Sequence, residues 1–213
     1  GLAIEALDAD LVALQEVRLH HQRDATHFDR TSFGWPAQGQ AEFLAPEGYE
    51  VAYRSNAYTR HGEHGNALLS RWPIGDVDHH DVSDHPFEQR GLLHVPVSWA
   101  GVALHVVVAH LGLIHSSRVR QIERLAEFLH GHVADDAPLV IAGDFNDWGE
   151  RLDPPMHAIG LVRAQGGSPV AQRTFPSRVP VFALDRVYLR GLRCLSASVP
   201  RGPDQIQTVW PVI

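Results

Sequence analysis

A chain of 213 residues, 44% of them hydrophobic, has enough apolar side chain for one sizeable core and does not read as disordered. Its formal net charge of −7 argues against a protein that grips nucleic acid through a strongly basic face, although a carboxylate metal site would itself add negative charge. The single cysteine, Cys194, excludes an intrachain disulfide and fits a reducing, cytoplasmic setting. Residues 2–7 look like the end of a helix, and residues 11–14 form a continuous apolar run suited to a strand buried on both faces, ending in Gln15-Glu16. Residues 18–48 are polar and rich in histidine, which predicts a long surface excursion with a short helix at most. Alternation marks strands at residues 49–53 and 67–69, the second preceded by Gly65-Asn66, a turn or strand-entry signal.

Residues 91–97 and 102–110 read as two strands joined as a hairpin through Ser98-Trp99-Ala100-Gly101. The 102–114 stretch is the most apolar in the chain, but His105 and His110 break it and it falls short of the ~20 residues needed to cross a bilayer. Ile122, Leu125, Ala126, Leu129 and Val133 then recur at helical spacing from a start near Ser116 or Ser117, either of which could cap the helix. A strand follows at residues 139–142, a Pro- and Gly-rich loop region at 153–180, and a last strand at 183–189. The pattern has no internal repeat and predicts one domain. It begins abruptly at Gly1, so the chain reads as a fragment.

Four of these strands carry a polar residue where packing gives no reason for one. Glu16 follows the first, His110 closes another, Asp144 and Asn146 follow residues 139–142, and Asp185 lies in the last. Asp144 and Asn146 share a face if the strand continues, because side chains alternate with period two. Taken alone, Gly143-Asp144-Phe145-Asn146-Asp147 fits a polar turn and a catalytic element about equally. If the strand ends share one rim, however, a carboxylate trio with one histidine and one amide is a set suited to phosphoester cleavage.

Five segments, Asp10-Leu11-Val12-Ala13-Leu14-Gln15-Glu16-Val17, Gly65-Asn66-Ala67-Leu68-Leu69-Ser70-Arg71, Val108-Ala109-His110-Leu111, Ile141-Ala142-Gly143-Asp144-Phe145-Asn146 and Leu184-Asp185-Arg186-Val187, resemble in order and spacing the motifs of the endonuclease/exonuclease/phosphatase family. The resemblance implies a four-layer α/β sandwich like that of deoxyribonuclease I, with two mostly antiparallel sheets face to face and helices outside. It implies a hydrolase that uses magnesium, or manganese in its place, to direct water in line onto phosphorus. By the same resemblance Glu16 and Asp144 are metal ligands, and Asp144 also acts on the attacking water. Asn146 holds a phosphate oxygen, as Asn66 and Arg90 would at the substrate, and His110 stabilises the phosphorane or protonates the leaving oxygen. Asp185 resembles the acid that orients a catalytic histidine.

The chain departs from the family pattern at both ends. The first strand with its metal-binding asparagine is missing, and so is the closing Ser-Asp-His, since residues 193–213 contain no histidine. Ser83-Asp84-His85 spells that tripeptide too early in the order to replace it. Asp185 is therefore expected to pair with His110, and Arg90 to form a rim salt bridge. None of the other histidines, among them the His61 and His64 pair, has the spacing of a strong zinc or nickel site, and Arg118 and Gln121 on the long helix, with the five tryptophans, read as serving packing and helix-face solvation. The implied substrate is a phosphoester, whether small, lipid or nucleic acid, with no obligate protein partner. A binding module that keeps the fold without turnover is the alternative.

Overall fold

The computed structural model describes residues 2–21, 39–59, 62–165, 172–176, 179–200 and 210–212. In chain order, α1 (Leu2–Leu7), β1 (Leu11–His21), α2 (Gln40–Leu44), β2 (Glu50–Thr59) and β3 (Gly62–Ser70) build a three-stranded antiparallel sheet of order β1-β3-β2. The chain continues through β4 (Asp78–Asp81), β5 (Gly91–Trp99), β6 (Val102–His110), α3 (His115–His132), β7 (Leu139–Asp144), α4 (Asp153–Ala158), β8 (Val162–Arg163) and β9 (Asp185–Arg190). These strands form a six-stranded sheet of order β4-β5-β6-β7-β9-β8. Only β6 and β7 run parallel in it, and the connection that parallel pairing demands is supplied by α3. β10 (Ser196–Ser198) and β11 (Trp210–Val212) form a separate two-stranded ribbon.

Side-chain alternation sorts the apolar residues into layers. Leu11, Ala13, Ala52 and Leu68 of the smaller sheet pack with Leu93, Val95, Val106, Val108, Val140 and Val187 of the larger, so the two sheets bury one face each against the other. The opposite face of the larger sheet, through Leu92, Val107, Ile141 and Tyr188, packs on Ile122, Leu125 and Leu129 of α3 and Met156 of α4. On the far side, Val12 and Leu69 pack with Ile4 of α1, and Val17 with Ala41 of α2. Helix, sheet, sheet, helix is the four-layer α/β sandwich that the family resemblance implies.

Several local expectations need correction. Of the two readings of Gly65-Asn66, turn or strand entry, the turn is excluded: both residues lie inside β3, which starts earlier, at Gly62, and there Asn66 ties the two sheets together. The hairpin connection is two residues shorter than expected: Ala100 (φ 50°) and Gly101 (φ 82°) make the two-residue, positive-φ turn whose twist matches that of the flanking strands. Neither Ser116 nor Ser117 caps α3, which begins at His115 with Ile114 before it and no side-chain cap. Ser117 is buried and its hydroxyl meets Nε2 of His85 at 2.9 Å instead. The 18–48 excursion is shorter at its start, since β1 runs on to His21, and α2 is its short helix; residues 22–38 lie outside the described residues. The 153–180 loop region contains α4, where prolines at the first positions need no intrahelical N–H partner, and the short β8. The edge strand β4, Asp-His-His-Asp, has no apolar pattern by which the sequence could announce it.

Candidate active site

One rim of the sandwich gathers the polar strand ends. Parallel pairing sets His110 at the end of β6 beside Asp144 at the end of β7, and antiparallel pairing sets Asp144 beside Asp185 at the start of β9. The turn that follows β7 is built by close backbone approach. Gly143 has φ 154°, and a Cβ there would fall 1.8 Å from the carbonyl oxygen of Ala109. Only glycine fits that position.

Glu16 reaches the rim through an irregularity in β1. Leu14 pairs with Ala67, but Val17 pairs with Gly65, so β1 has one residue more than β3 across this step. Simple alternation would put Glu16 on the outer face with Val12 and Leu14. The extra residue gives that face to Val17 and leaves Glu16 exposed at φ 55°, where its charge reaches Asp144. A left-handed glutamate costs about 1 kcal/mol, and such strain concentrates at functional positions. Asn146, at φ 47°, is a second rim residue in this region.

The electrostatics separate the two central groups. Burial, then repulsion from Asp185 and Glu16, pushes the Asp144 carboxyl up to about 6, against the opposing pull of the Asn146 N–H donating to its Oδ1 at 2.8 Å and of Arg90. Burial, with the positive fields of Arg90 and His64, pushes the His110 imidazole down to about 3. Near neutral pH the histidine is uncharged, and its Nε2 lies 3.9 Å from Asp144 Oδ2. A neutral imidazole can donate a hydrogen bond to developing charge but has no spare proton to give, which favours the first of its two expected roles.

The remaining expected residues divide. Asn146 donates one amide hydrogen to the carbonyl of Leu111 at 2.9 Å, which leaves a second for a ligand. Arg90 donates from Nε to the same carbonyl and pairs with Glu88 at 3.3 Å, so it is a rim salt bridge whose field also reaches His110 and Asp144. Asn66 is corrected as a substrate contact. It is fully buried, and its amide donates to Gly91 O at 2.9 Å and Val108 O at 3.0 Å, tying β3 to the facing sheet. The expected Asp185–His110 pair is also corrected: among the described residues the carboxylate within 4 Å of that imidazole is Asp144. Asp185 is hydrogen-bonded by the Thr174 side chain, and burial raises its carboxyl above the usual range. Ser83-Asp84-His85 is structural, with Asp84 held by a two-pronged bond to Arg120 on α3 at 2.7 and 2.5 Å.

Sequence reasoning missed the buried charges that hold these loops. Asp147, next to Asn146, takes Arg186 at 2.8 Å and lies 3.8 Å from Arg118. Arg186 immediately follows Asp185, and Arg118 donates to the carbonyls of Gly112 and Leu113 just past His110. Gln121 accepts from the Gly112 N–H at 2.8 Å. Arg118 and Gln121 are buried and thus neither solvate the helix face nor merely pack, and three rim segments meet on one ion cluster. A signal for the cluster is present in the sequence, since Asp147 and Arg186 each directly follow a site residue. His64, whose spacing reads as that of a surface histidine, is near enough for its charge to act on His110.

Among the described residues no three His, Cys, Asp or Glu side chains form a ready metal cage. Magnesium does not need one, since it is commonly held by one or two carboxylates together with water and substrate phosphate. Glu16 and Asp144, mutually repelling at the rim, are a fitting oxygen donor pair. No helix of the described residues is long and apolar enough to cross a membrane.

Comparison with known proteins agrees with the fold. The chain is 38% identical over 206 residues to the uncharacterized protein YbhP of Escherichia coli, covering 93% of this chain and 77% of that one. Among solved structures, an endonuclease/exonuclease/phosphatase family protein from Leptotrichia buccalis superposes with a TM-score of 0.69 at 14% identity, over 93% of this chain and 82% of that one. The mannosyl-6-phosphatase Bt3783 of Bacteroides thetaiotaomicron gives 0.63 at 17% identity, over 93% and 78%. The family's sequence pattern matches residues 3–209, so the chain belongs to the Endonuclease/Exonuclease/phosphatase family, whose named activities all cleave phosphoester bonds.

Proposed function

We propose that this protein is a divalent-metal-dependent phosphoester hydrolase, with magnesium as its metal and manganese as a substitute. The observation that carries the reading is the convergence on one rim of Glu16, His110, Asp144 and Asp185, with the Asp144 carboxyl pushed up to about 6 and the His110 imidazole down to about 3. Groups whose environments drive their proton affinities in opposite directions are the mark of a working site. Glu16 and Asp144 would hold the metal, which would offset charge on the phosphoryl oxygens and lower the proton affinity of bound water.

The chain's own groups do the rest. Asp144 accepts the proton of the attacking water and directs its oxygen in line onto phosphorus. Asn146 orients a phosphoryl oxygen through its second amide hydrogen. Arg90 supplies positive field from its salt bridge. Neutral His110 donates to the oxygen on which negative charge develops. Asp185 stands across from Asp144 and keeps its proton affinity high. The bond from phosphorus to the leaving oxygen breaks as that from water forms.

The negative charge of the chain favours a small phosphoester over a long polyanion. Turnover of a phosphomonoester and phosphodiester panel with magnesium tests the reading. Activity should vanish with EDTA and fall by orders of magnitude in Glu16→Ala and in Asp144→Ala. Unchanged turnover in both variants would reject it. Binding of the same esters with no turnover would instead favour a non-catalytic binding module.

A further inference from the structure

Away from the rim, on the helix-covered face of the larger sheet, a histidine is buried where the strand pattern asks for an apolar residue. His94 follows Leu92 by two positions on β5 and is 3% exposed. Its Nε2 faces Nδ1 of His105, on β6, at 2.8 Å, with the two ring planes parallel to within 3°. Its Nδ1 is buried and stands 3.5 Å from Oδ2 of Asp78 on β4. Phe128 of α3 closes the group: its ring meets His94 edge-on at 5.4 Å and lies 5.2 Å from His80 and 4.4 Å from His132 between centroids. The charged and titratable groups around the pair are therefore Asp78 and His80 of β4, His132 of α3, and Arg190 of β9, whose field reaches His105.

Two imidazole nitrogens at this separation share one hydrogen, because one must donate and the other accept. The Asp78 carboxylate draws the His94 hydrogen to Nδ1, so Nε2 is bare and accepts from the Nδ1–H of His105. An added proton goes first to Nε2 of the more exposed His105, where Asp78 balances the charge. A second would set N–H against N–H across the contact, so His94 can take it only by leaving its place. Burial, then the charge of His105, lowers the proton affinity of His94 against the pull of Asp78, and burial and Arg190 lower that of His105.

We infer that Asp78, His94 and His105 form an acid-sensitive clasp, which holds the edge strand β4 on the sheet while His94 is neutral and releases it when His94 takes a proton. Among the described strands β4 pairs with β5 alone, and its short polar sequence buries little that would hold it otherwise. It leads straight into the residues that support Arg90: the Val82 N–H donates to the Arg90 carbonyl at 3.0 Å, and the Arg90 N–H donates to Ser83 Oγ at 2.9 Å. Acid thus loosens the support of a rim cation from a distance. The native proton affinity of His94 is depressed, so its contribution to stability is present in full above the ordinary value of 6.5 and is lost as pH falls below it. The inference goes beyond the phosphoesterase reading and does not depend on it.

Amide hydrogen exchange at residues 78–82 of the full chain, corrected for the intrinsic exchange rate at each pH, reads the opening of β4. A proton taken up only on opening, at the ordinary value of 6.5, multiplies the opened population by about thirty between pH 7.5 and 5.0, so a rise above about tenfold is expected. His94→Gln keeps an acceptor for His105 and cannot take a proton, so there the rise should fall below about threefold. The imidazole nitrogen shifts of the intact protein give a reading that needs no variant: at pH 6 native His94 should carry its one hydrogen on Nδ1. A smaller rise in the intact protein, a rise of equal size in His94→Gln, or a native His94 protonated on both nitrogens at pH 6 would overturn the clasp. So would residues 78–82 opening no more often than residues 139–144 of β7, since the proton would then open the whole molecule.

Discussion

Asp144→Asn should make the metal-free protein more stable while abolishing hydrolysis. The folded protein holds the Asp144 carboxyl at about 6 against an ordinary 3.8, because burial and two neighbouring carboxylates disfavour its charge. Its native proton affinity is raised, so the contribution to stability is greatest below the unfolded value, declines as pH climbs towards about 6, and stays low above. The rise from 3.8 to about 6, at ~1.36 kcal/mol for each tenfold change in proton affinity, sets a ceiling of ~3 kcal/mol. The side chain is 28% exposed, and water in the cleft screens the charge, so ~2 kcal/mol is the working figure. The asparagine oxygen can still accept the N–H of Asn146, and no other bond is lost. For a chain of this size the gain corresponds to a rise in Tm of roughly 4–8 °C. Thermal unfolding in EDTA at pH 7.5 should show that rise, and at pH 4 the gap should close because the wild-type carboxyl is then protonated. Magnesium should stabilise the wild type and not the variant. A variant no more stable than wild type at pH 7.5, or a gap of equal size at pH 4, would refute the electrostatic reasoning.

Glu16→Gly should raise stability by about 1 kcal/mol by releasing the left-handed backbone at φ 55°, and more than Glu16→Ala does, while both lose magnesium affinity in a calorimetric titration. Arg186→Met removes the main partner of buried Asp147 and should cost about 3–5 kcal/mol in a denaturant titration. Gly143→Ala forces a Cβ to within 1.8 Å of the Ala109 carbonyl oxygen and should cost more than about 4 kcal/mol, seen as loss of folded protein by circular dichroism.

The layers and the rim are legible in the sequence because both depend on short-range regularities. Apolar runs of strand length end at Glu16, His110 and Asp144, and their order matches a family pattern, so the convergence of these groups can be expected. What escapes depends on contacts between distant segments. The tying role of Asn66, which the sequence marks only as part of a turn or strand entry, is hidden because its two acceptors, on Gly91 and Val108, lie on the other sheet. Glu16 reaches the rim through an irregular pairing that depends on β3 as much as on β1. The pairing of Asp185 with His110 follows only from what the chain lacks, whereas the strand register puts Asp144 between them. Trp148 (42% exposed), Phe175 (42%) and Phe182 (38%) cannot be told from core residues in the sequence, since exposure is not written in residue type.

The most direct test of the rim as a phosphoesterase site is turnover in water enriched in oxygen-18, with magnesium, followed by mass analysis of both products. Attack of water on phosphorus should put the label in the phosphate product and none in the released alcohol, with the reaction stopped by EDTA and in Asp144→Ala. Label in the alcohol, or hydrolysis that proceeds unchanged in EDTA and in that variant, would contradict it.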